Sequence, residues 1–153
     1  MFSDFFEALL IAQNSGLIGH EIMHGLITLP FAVFIYFKTK SIKLFLLTLI
    51  TTYLIDLDHL VDYFLYYGLR FNFTEFLSFK YVTETSSAVI PFHGWEWVAM
   101  LGLLAWQERK FSSIKAAVAL GALSHLIWDS YGIGSILFYS IFYRVINEFI
   151  VLI

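Results

Sequence analysis

All five histidines of this 153-residue chain lie near carboxylates, inside or at the ends of long apolar runs. They fall at four places: His20-Glu21-Ile22-Met23-His24, Asp56-Leu57-Asp58-His59 followed by Asp62, His93-Gly94-Trp95-Glu96, and His125-Leu126-Ile127-Trp128-Asp129. Ionisable groups in apolar surroundings are costly unless they are paired, hydrated or bound to a metal. We therefore predict that these places form one metal site. Its predicted ligands are His20, His24, Asp56, Asp58, His59, His93, Glu96, His125 and Asp129.

The spacing of His125 and Asp129 places both side chains on one face of a helix, because residues four apart are neighbours there. The two can bind one ion, or they can form a carboxylate–histidine pair that fixes the imidazole tautomer. A buried hydrogen-bonded pair that only holds helices together fits the spacing equally well.

The acidic run Asp56-Leu57-Asp58-His59, with Asp62 one turn later, spreads its polar side chains over about 160° of a helix at about 100° per residue. Such an arc suits a bridge between two metals, or two ligands with supporting groups behind them. A polar cap at the membrane interface is the alternative. Three carboxylates within seven residues argue against it, because like charges repel unless a cation neutralises them.

The first cluster also matches H-E-x-x-H, in which two histidines bind zinc and the intervening glutamate acts as a general base. A protease of that kind needs one further ligand and leaves most of the other polar residues unused. The chain resembles site-2 proteases only weakly, because His59 stands where they have glycine after Leu57-Asp58.

Composition restricts the class of protein. Hydrophobic residues make up 59% of the chain and aromatic residues 20%, well above the roughly 45–50% apolar content of soluble domains. A net charge of −3 with nine Lys and Arg residues leaves no basic surface for nucleic acid. Cysteine is absent, so imidazole and carboxylate are the strong metal ligands that remain. These features predict an integral membrane protein.

Five segments approach the roughly 20 apolar residues that a membrane-spanning helix needs. They are 16–37, 43–66, 90–107, 113–131 and 134–152. We predict a single all-α domain over residues 1–153, a polytopic transmembrane bundle of about five helices. The long connection at 67–89 is expected to pack as a lid. In the last segment Arg144 and Glu148 are four apart and are expected to pair, with contact to an anionic substrate as the alternative for Arg144.

Basic residues predict the orientation. Six of the nine flank the two short connections: Lys38, Lys40, Lys43, Arg109, Lys110 and Lys115. By the positive-inside rule these connections face the cytoplasm. All four polar clusters then lie in the outer half of the bundle, on the non-cytoplasmic side of a prokaryotic-type cytoplasmic membrane.

The order of motifs resembles the membrane-bound metal-dependent hydrolase family, which includes LexA-regulated inner-membrane members and is similar to zinc-dependent phospholipase C and the S1/P1 nucleases. The resemblance runs from about residue 17 to 137 on Gly19-His20, Ile55-Asp56-Leu57-Asp58-His59, His93-Gly94, and Leu123-Ser124-His125 with Asp129 and Gly132. It implies metal ligation by His20, Asp56, Asp58, His59, His93, His125 and Asp129. The family often has two histidines around the third motif, whereas this chain has His93 and then Glu96.

Together these features predict a membrane-embedded hydrolase with two or three divalent ions, zinc being the expected metal. A metal-activated water would attack a phosphodiester or ester bond of a membrane lipid or lipid-linked substrate. Asp58, Asp62 or Glu21 would accept the proton. The alternatives are an intramembrane H-E-x-x-H zinc protease and a metal-binding or transport protein without enzymatic activity. The sequence does not define the oligomeric state.

Overall fold

A computed structural model of the chain describes residues 17–78, 80–84, 88–108 and 113–147. Within these ranges the regular elements are helices and no strand occurs, which confirms the all-α prediction. Arg109, Lys110 and Glu148, to which the sequence assigns an orientation signal or an ion pair, lie outside the described residues.

The chain first forms helix α1 (Leu17–Thr39) and helix α2 (Ile42–Ile55), joined by a tight turn. Lys40 ends α1 in the left-handed conformation, with φ of 55°, and its N–H donates to the Tyr36 carbonyl at 2.7 Å. The Ser41 hydroxyl accepts from the N–H of Leu44 at 3.4 Å and caps α2. This turn reverses the chain within two residues and makes α1 and α2 neighbours.

A 3₁₀ turn (Asp56–Asp58) connects α2 directly to helix α3 (His59–Tyr67). The remaining helices are α4 (Phe73–Leu77), α5 (Lys80–Glu84), α6 (Trp95–Gln107), α7 (Ile114–Ile133) and α8 (Ile141–Ile146), with a second 3₁₀ turn at Leu137–Tyr139. Helices α1, α2 and α6 all pack on α7, and α1 also packs on α2. Helix α7 is therefore the central element of the described bundle.

The two ends of the bundle differ in chemistry. At one end a buried apolar cluster joins Ile35, Leu44, Ala105, Ala116 and Ala117. At the other end the first turns of α1, the end of α2, the start of α6 and the last turns of α7 bring the polar clusters together. This is the one-sided arrangement that the sequence predicts.

The interior of this fold contains polar side chains beside apolar ones. His24, Thr28, Thr48, Thr52, His93 and His125 are at most 1% exposed. Large apolar side chains occur on the outside, among them Ile22, Phe37, Leu54, Leu65, Trp106 and Phe142, each more than 50% exposed. Large exposed apolar patches are typical of surfaces that meet a membrane or a partner.

Two helices are long and apolar enough to cross a membrane, Ile18–Thr39 with 22 residues and Ile42–Tyr67 with 26. The other predicted spans are less clear. Helix α6 has 13 residues and the described part of α8 has six, fewer than the roughly 20 needed. Helix α7 has 20 residues but includes two of the polar ligand candidates. Helix length and composition thus support two candidate spans, where the sequence predicts about five.

The described part of the connection between α3 and α6 packs on α3. Tyr63 is fully buried, and its ring centroid lies 5.4 to 5.7 Å from those of Phe71, Phe76 and Tyr81. The Tyr63 hydroxyl also accepts from the N–H of Asn72 at 2.9 Å. Burial raises the pKa of Tyr81 above its ordinary value, so this phenol stays protonated at neutral pH.

Gly121 sets the separation of α2 and α7, which yields a stability prediction. A Cβ at this position would lie 2.5 Å from the Thr48 carbonyl oxygen and 2.8 Å from the Thr51 Cβ. We expect Gly121→Ala to lower the free energy of unfolding by about 1–3 kcal/mol, because the helices must move apart. The measurement is thermal or denaturant unfolding in detergent.

The matched control is Gly102→Ala, on α6, where an added Cβ meets no atom within 4 Å. That change should leave stability unchanged or raise it, since alanine favours helix by about 1 kcal/mol over glycine. Equal stability of the two variants would contradict the close approach of α2 and α7.

Candidate metal centre

Eight predicted ligands meet at the polar end of the bundle. They are His20 and His24 of α1, Asp56 and Asp58 of the first 3₁₀ turn, His59 at the start of α3, His93 just before α6, and His125 and Asp129 of α7. A turn closed by a hydrogen bond of 3.2 Å from the His93 N–H to the Ile90 carbonyl presents His93. The helices are thus arranged so that ligands distant in sequence share one region.

Asp129 of α7 lies within 3.4 Å of four imidazoles, those of His20, His24, His93 and His125. Its Oδ1 atom is 3.0 Å from Nε2 of His24 and 3.4 Å from Nε2 of His20. Its Oδ2 atom is 3.0 Å from Nε2 of His125. The rings of His24 and His125 stack with centroids 3.7 Å apart. The i,i+4 pair of α7 therefore extends to both histidines of α1.

Asp56 and His93 extend this group toward α3. Nε2 of His93 lies 3.3 Å from Oδ1 of Asp56, 2.9 Å from Nε2 of His125 and 3.4 Å from Oδ2 of Asp129. Nε2 of His59 is 3.4 Å from the same Asp56 oxygen. His93 and Asp56 thus link the α1–α7 ligands to His59.

The carboxylate of Asp58 orients His93 from behind. It lies 3.0 Å from Nδ1 of His93 and accepts the Phe92 N–H at 2.7 Å. A histidine that donates its Nδ1–H to a carboxylate keeps Nε2 free for a metal. Asp62 likewise accepts a backbone N–H, from Val89 at 2.6 Å. Both acids, predicted as proton acceptors, therefore also anchor the segment that carries His93.

Buried hydroxyl groups support His125, and the sequence pattern does not predict their contacts. Thr52 Oγ1 lies 3.4 Å from Nδ1 of His125, and Thr28 donates to Thr52 at 3.0 Å. Thr28 also lies 2.8 Å from the hydroxyl of Ser124. A signal was present: Thr28 follows His24 by four residues, and Ser124 precedes His125 directly.

The structure places Glu96 away from these ligands. Its Oε1 atom accepts from the Ser140 hydroxyl at 2.6 Å, and its Oε2 atom accepts the N–H of Ile141 at 3.0 Å. Both oxygens therefore bind the amino terminus of α8, where unpaired N–H groups favour a carboxylate. We correct the prediction accordingly and leave Glu96 out of the ligand set.

Glu21 remains near the centre. It is half-buried on α1 between the two histidines of the H-E-x-x-H motif, beside Asp56. Asp56 and Asp129 both act electrostatically on its carboxylate, so Glu21 lies close to the ligands. The predicted role of Glu21 as a proton acceptor is compatible with this position.

The donor atoms fit a metal better than they fit each other. Neither oxygen of the buried Asp56 carboxylate makes a hydrogen bond to a described residue, although three imidazole nitrogens lie 3.3 to 3.5 Å away. Two ligand atoms bound tetrahedrally to zinc at about 2.0–2.1 Å are roughly 3.3 Å apart. The separations around Asp56 therefore match edges of a coordination polyhedron.

The ligands form overlapping groups of three. These are His20, His24 and Asp56; His24, His125 and Asp129; Asp56, His93 and His125; and Asp58, His59 and His93. In each group the candidate donor atoms lie within 4.8 Å of one another. These buried histidine and aspartate groups can hold a metal ion, and their number exceeds the four ligands of one tetrahedral site.

Comparisons with known proteins provide no relative. No protein-family model matches the chain, and no curated protein or solved structure matches it either. The arguments for function therefore rest on the geometry of the site and on the sequence pattern.

Variants of two acids, Asp56 and Glu96, distinguish metal binding from support of the fold. We expect Asp56→Asn to lower the bound divalent metal to less than half of the wild-type content, because Asp56 belongs to two of the donor groups. Glu96→Gln should retain the full metal content and lose only the cap of α8, a cost of about 1 kcal/mol. Elemental analysis and thermal unfolding of the purified variants measure both effects.

These two variants make the same acid-to-amide change, so each controls for the other. Equal loss of metal in both would return Glu96 to the ligand set. Full metal content in Asp56→Asn would remove Asp56 from it.

Proposed function

We propose that this chain is an integral membrane metal-dependent hydrolase that cleaves a phosphodiester or ester bond in a lipid-like substrate. The observation that carries the proposal is the convergence of five imidazoles with Asp56 and Asp129 at one end of a bundle whose outer surface is apolar. The resemblance to membrane-bound metal-dependent hydrolases, stated from the motifs, points to the same activity.

The exposed apolar side chains and the buried polar side chains support the membrane location. In lipid the outer side chains need no water, and polar groups must find partners inside the protein. Helices α6, α7 and α8 would complete a multi-pass bundle of about five spans around the two candidate spans. The short helices α4 and α5 would lie at the polar end, where the ligands and the 67–89 connection reach the membrane interface.

Zinc is the ion that this donor set suits, because imidazole nitrogen and carboxylate oxygen are both zinc ligands. The overlapping donor groups favour two or three ions, with Asp56 and His93 shared between them. The histidines and aspartates of these groups would hold the ion, whose chemistry would be to supply an activated water as the nucleophile at neutral pH.

Among the proposed proton acceptors, the geometry favours Glu21. Asp58 is bound by His93 and by a backbone N–H, and Asp62 accepts a backbone N–H. Glu21 lies on the α1 side of the ligands and is half-buried. A carboxylate within one water of the attacked bond can accept the proton that the nucleophile releases.

A groove beside the ligands supports a lipid-like substrate. It has a volume of about 640 Å³, within the usual range of small-molecule sites. The walls are mostly apolar and consist of Trp95, Ile127, Ser130, Tyr131, Gly134 and Ile136. The lining contains none of the ligands, but Ser130 is the next residue of α7 after Asp129 and Trp95 is two residues from His93. We propose that an acyl chain in this groove belongs to a substrate whose head reaches the ligands.

One observation favours a second candidate, an intramembrane zinc protease. Nε2 of His20 and Nε2 of His24 are 2.8 Å apart, and Asp56 completes a possible three-ligand site with them. Glu21 would then be the base of an H-E-x-x-H protease. A transport function has less support, because a transporter needs polar access from both sides and the end of the bundle opposite the ligands is apolar.

Two histidine variants distinguish the hydrolase from the protease. In the proposed hydrolase both His20→Ala and His125→Ala should lose bound zinc and at least about 100-fold in the rate of phosphodiester or ester hydrolysis. In a protease the site would be built on α1. His20→Ala should then lose zinc and peptide cleavage, whereas His125→Ala should keep both. Elemental analysis together with assays on a chromogenic phosphodiester, an ester and a peptide provides the test. Full zinc content and peptide cleavage in His125→Ala would decide for the protease.

The orientation in the membrane is a separate prediction. The chain contains no cysteine, so single cysteines report accessibility without background. Leu69→Cys in the long connection, at a residue 97% exposed, should react with a membrane-impermeant maleimide in intact cells. Ile42→Cys, 57% exposed at the α1–α2 connection, should react only after permeabilisation. The opposite labelling pattern would place the ligands on the cytoplasmic side.

A further inference from the structure

A buried arginine lies directly behind the metal ligands. Arg144 of α8 is 2% exposed, and its Nη2 atom donates to the backbone carbonyl of His93 at 2.6 Å. Its guanidinium also lies 6.0 Å from the ring centroid of Phe138. The cation is therefore fixed next to the residue that links the two halves of the ligand cluster.

The guanidinium of Arg144 has unused donors within the described part of the chain. Its described hydrogen bond is to a neutral carbonyl, and its Nε and Nη1 atoms have no hydrogen-bond partner among the described residues. The carboxylates of Asp58, Glu96 and Asp62 act on it electrostatically without a described hydrogen bond. Buried N–H groups without a partner are destabilising, and an anion that accepts from them would satisfy them.

The guanidinium of Arg144 and its place behind His93 also determine which kind of anion can bind. Guanidinium presents its N–H groups as a fork that matches two oxygens of a phosphate or carboxylate. Nε2 of His93 faces Asp56 and His125 while its carbonyl binds Arg144. Arg144 thus contacts the backbone of a residue whose ring lies among the ligand atoms, and a phosphate has enough oxygens to contact a guanidinium and a bound metal together.

We propose that Arg144 binds the phosphate oxygens of the substrate, which makes the substrate a phosphodiester or phosphomonoester and not a neutral ester. This inference rests on the proposed function and narrows it. The phosphate can belong to a lipid headgroup or to a small water-soluble molecule, and the chemistry of recognition is the same for both.

Binding measurements on the zinc-loaded full chain in detergent test this role. Inorganic phosphate and a short-chain phosphatidylglycerol serve as probes, and calorimetry gives the affinities. Arg144→Met, which keeps most of the buried volume, should weaken binding of at least one probe by about 10-fold to 100-fold. Its zinc content should remain that of the wild type. Arg144→Lys keeps the charge without the fork and should show a smaller loss.

Lys115→Met is the control, because it removes a cation in the first turn of α7, at the opposite end of that helix from His125 and Asp129. It should leave phosphate affinity unchanged. Wild-type affinity for both probes in Arg144→Met, or no binding of either probe by the wild type, would overturn the inference. Arginine-dependent binding of phosphate alone would identify a soluble substrate, and binding of the lipid alone would identify a headgroup.

The phosphate site at Arg144 and the hydrolase activity are tested separately. Arginine-dependent binding without hydrolysis of any phosphodiester would leave the phosphate site standing and remove the enzyme. Hydrolysis of a neutral ester that Arg144→Met leaves unchanged would keep the enzyme and overturn the phosphate site.

Discussion

The constraint on which this structure depends is the burial of five imidazoles and several carboxylates in a small, largely apolar protein. Removing such groups from water costs several kcal/mol each unless their charges and lone pairs are satisfied. Asp56 illustrates the problem, since it is buried with three imidazole nitrogens within 3.5 Å and no hydrogen bond from a described residue. Divalent cations bound in the cluster would satisfy the carboxylates and imidazoles together, and the buried histidine and aspartate groups could hold a metal ion.

The rest of the fold follows from holding those ligands in place. Small residues let the helices approach closely, as Gly121 does where α7 meets α2. Hydroxyl groups then fill the polar layer beneath the ligands, where Thr52 supports His125. Asp58 performs the same task for His93. At the opposite end the helices need no polar support, and alanine and branched apolar residues suffice.

Much of this was readable from the sequence, because periodicity and composition act over short distances. The helices around His20, Asp56 and His125 and their placement at one end follow from apolar runs and the alternation of direction. Contacts between distant segments do not follow from such patterns. Glu96 was therefore predicted as a ligand although it caps α8. The sequence predicts the third span from residue 90, whereas α6 begins at Trp95, because the apolar turn before it shares the composition of a span.

The number and coordination of bound metal ions decide whether the buried histidines and aspartates form a metal centre. The account predicts more than one divalent ion per chain in protein purified without chelator, because the overlapping donor groups exceed one tetrahedral site. X-ray absorption at the edge of the bound metal should show nitrogen and oxygen ligands at about 2.0–2.2 Å, with imidazole scattering and no sulfur. Protein that is folded and free of zinc, manganese and iron would contradict the account.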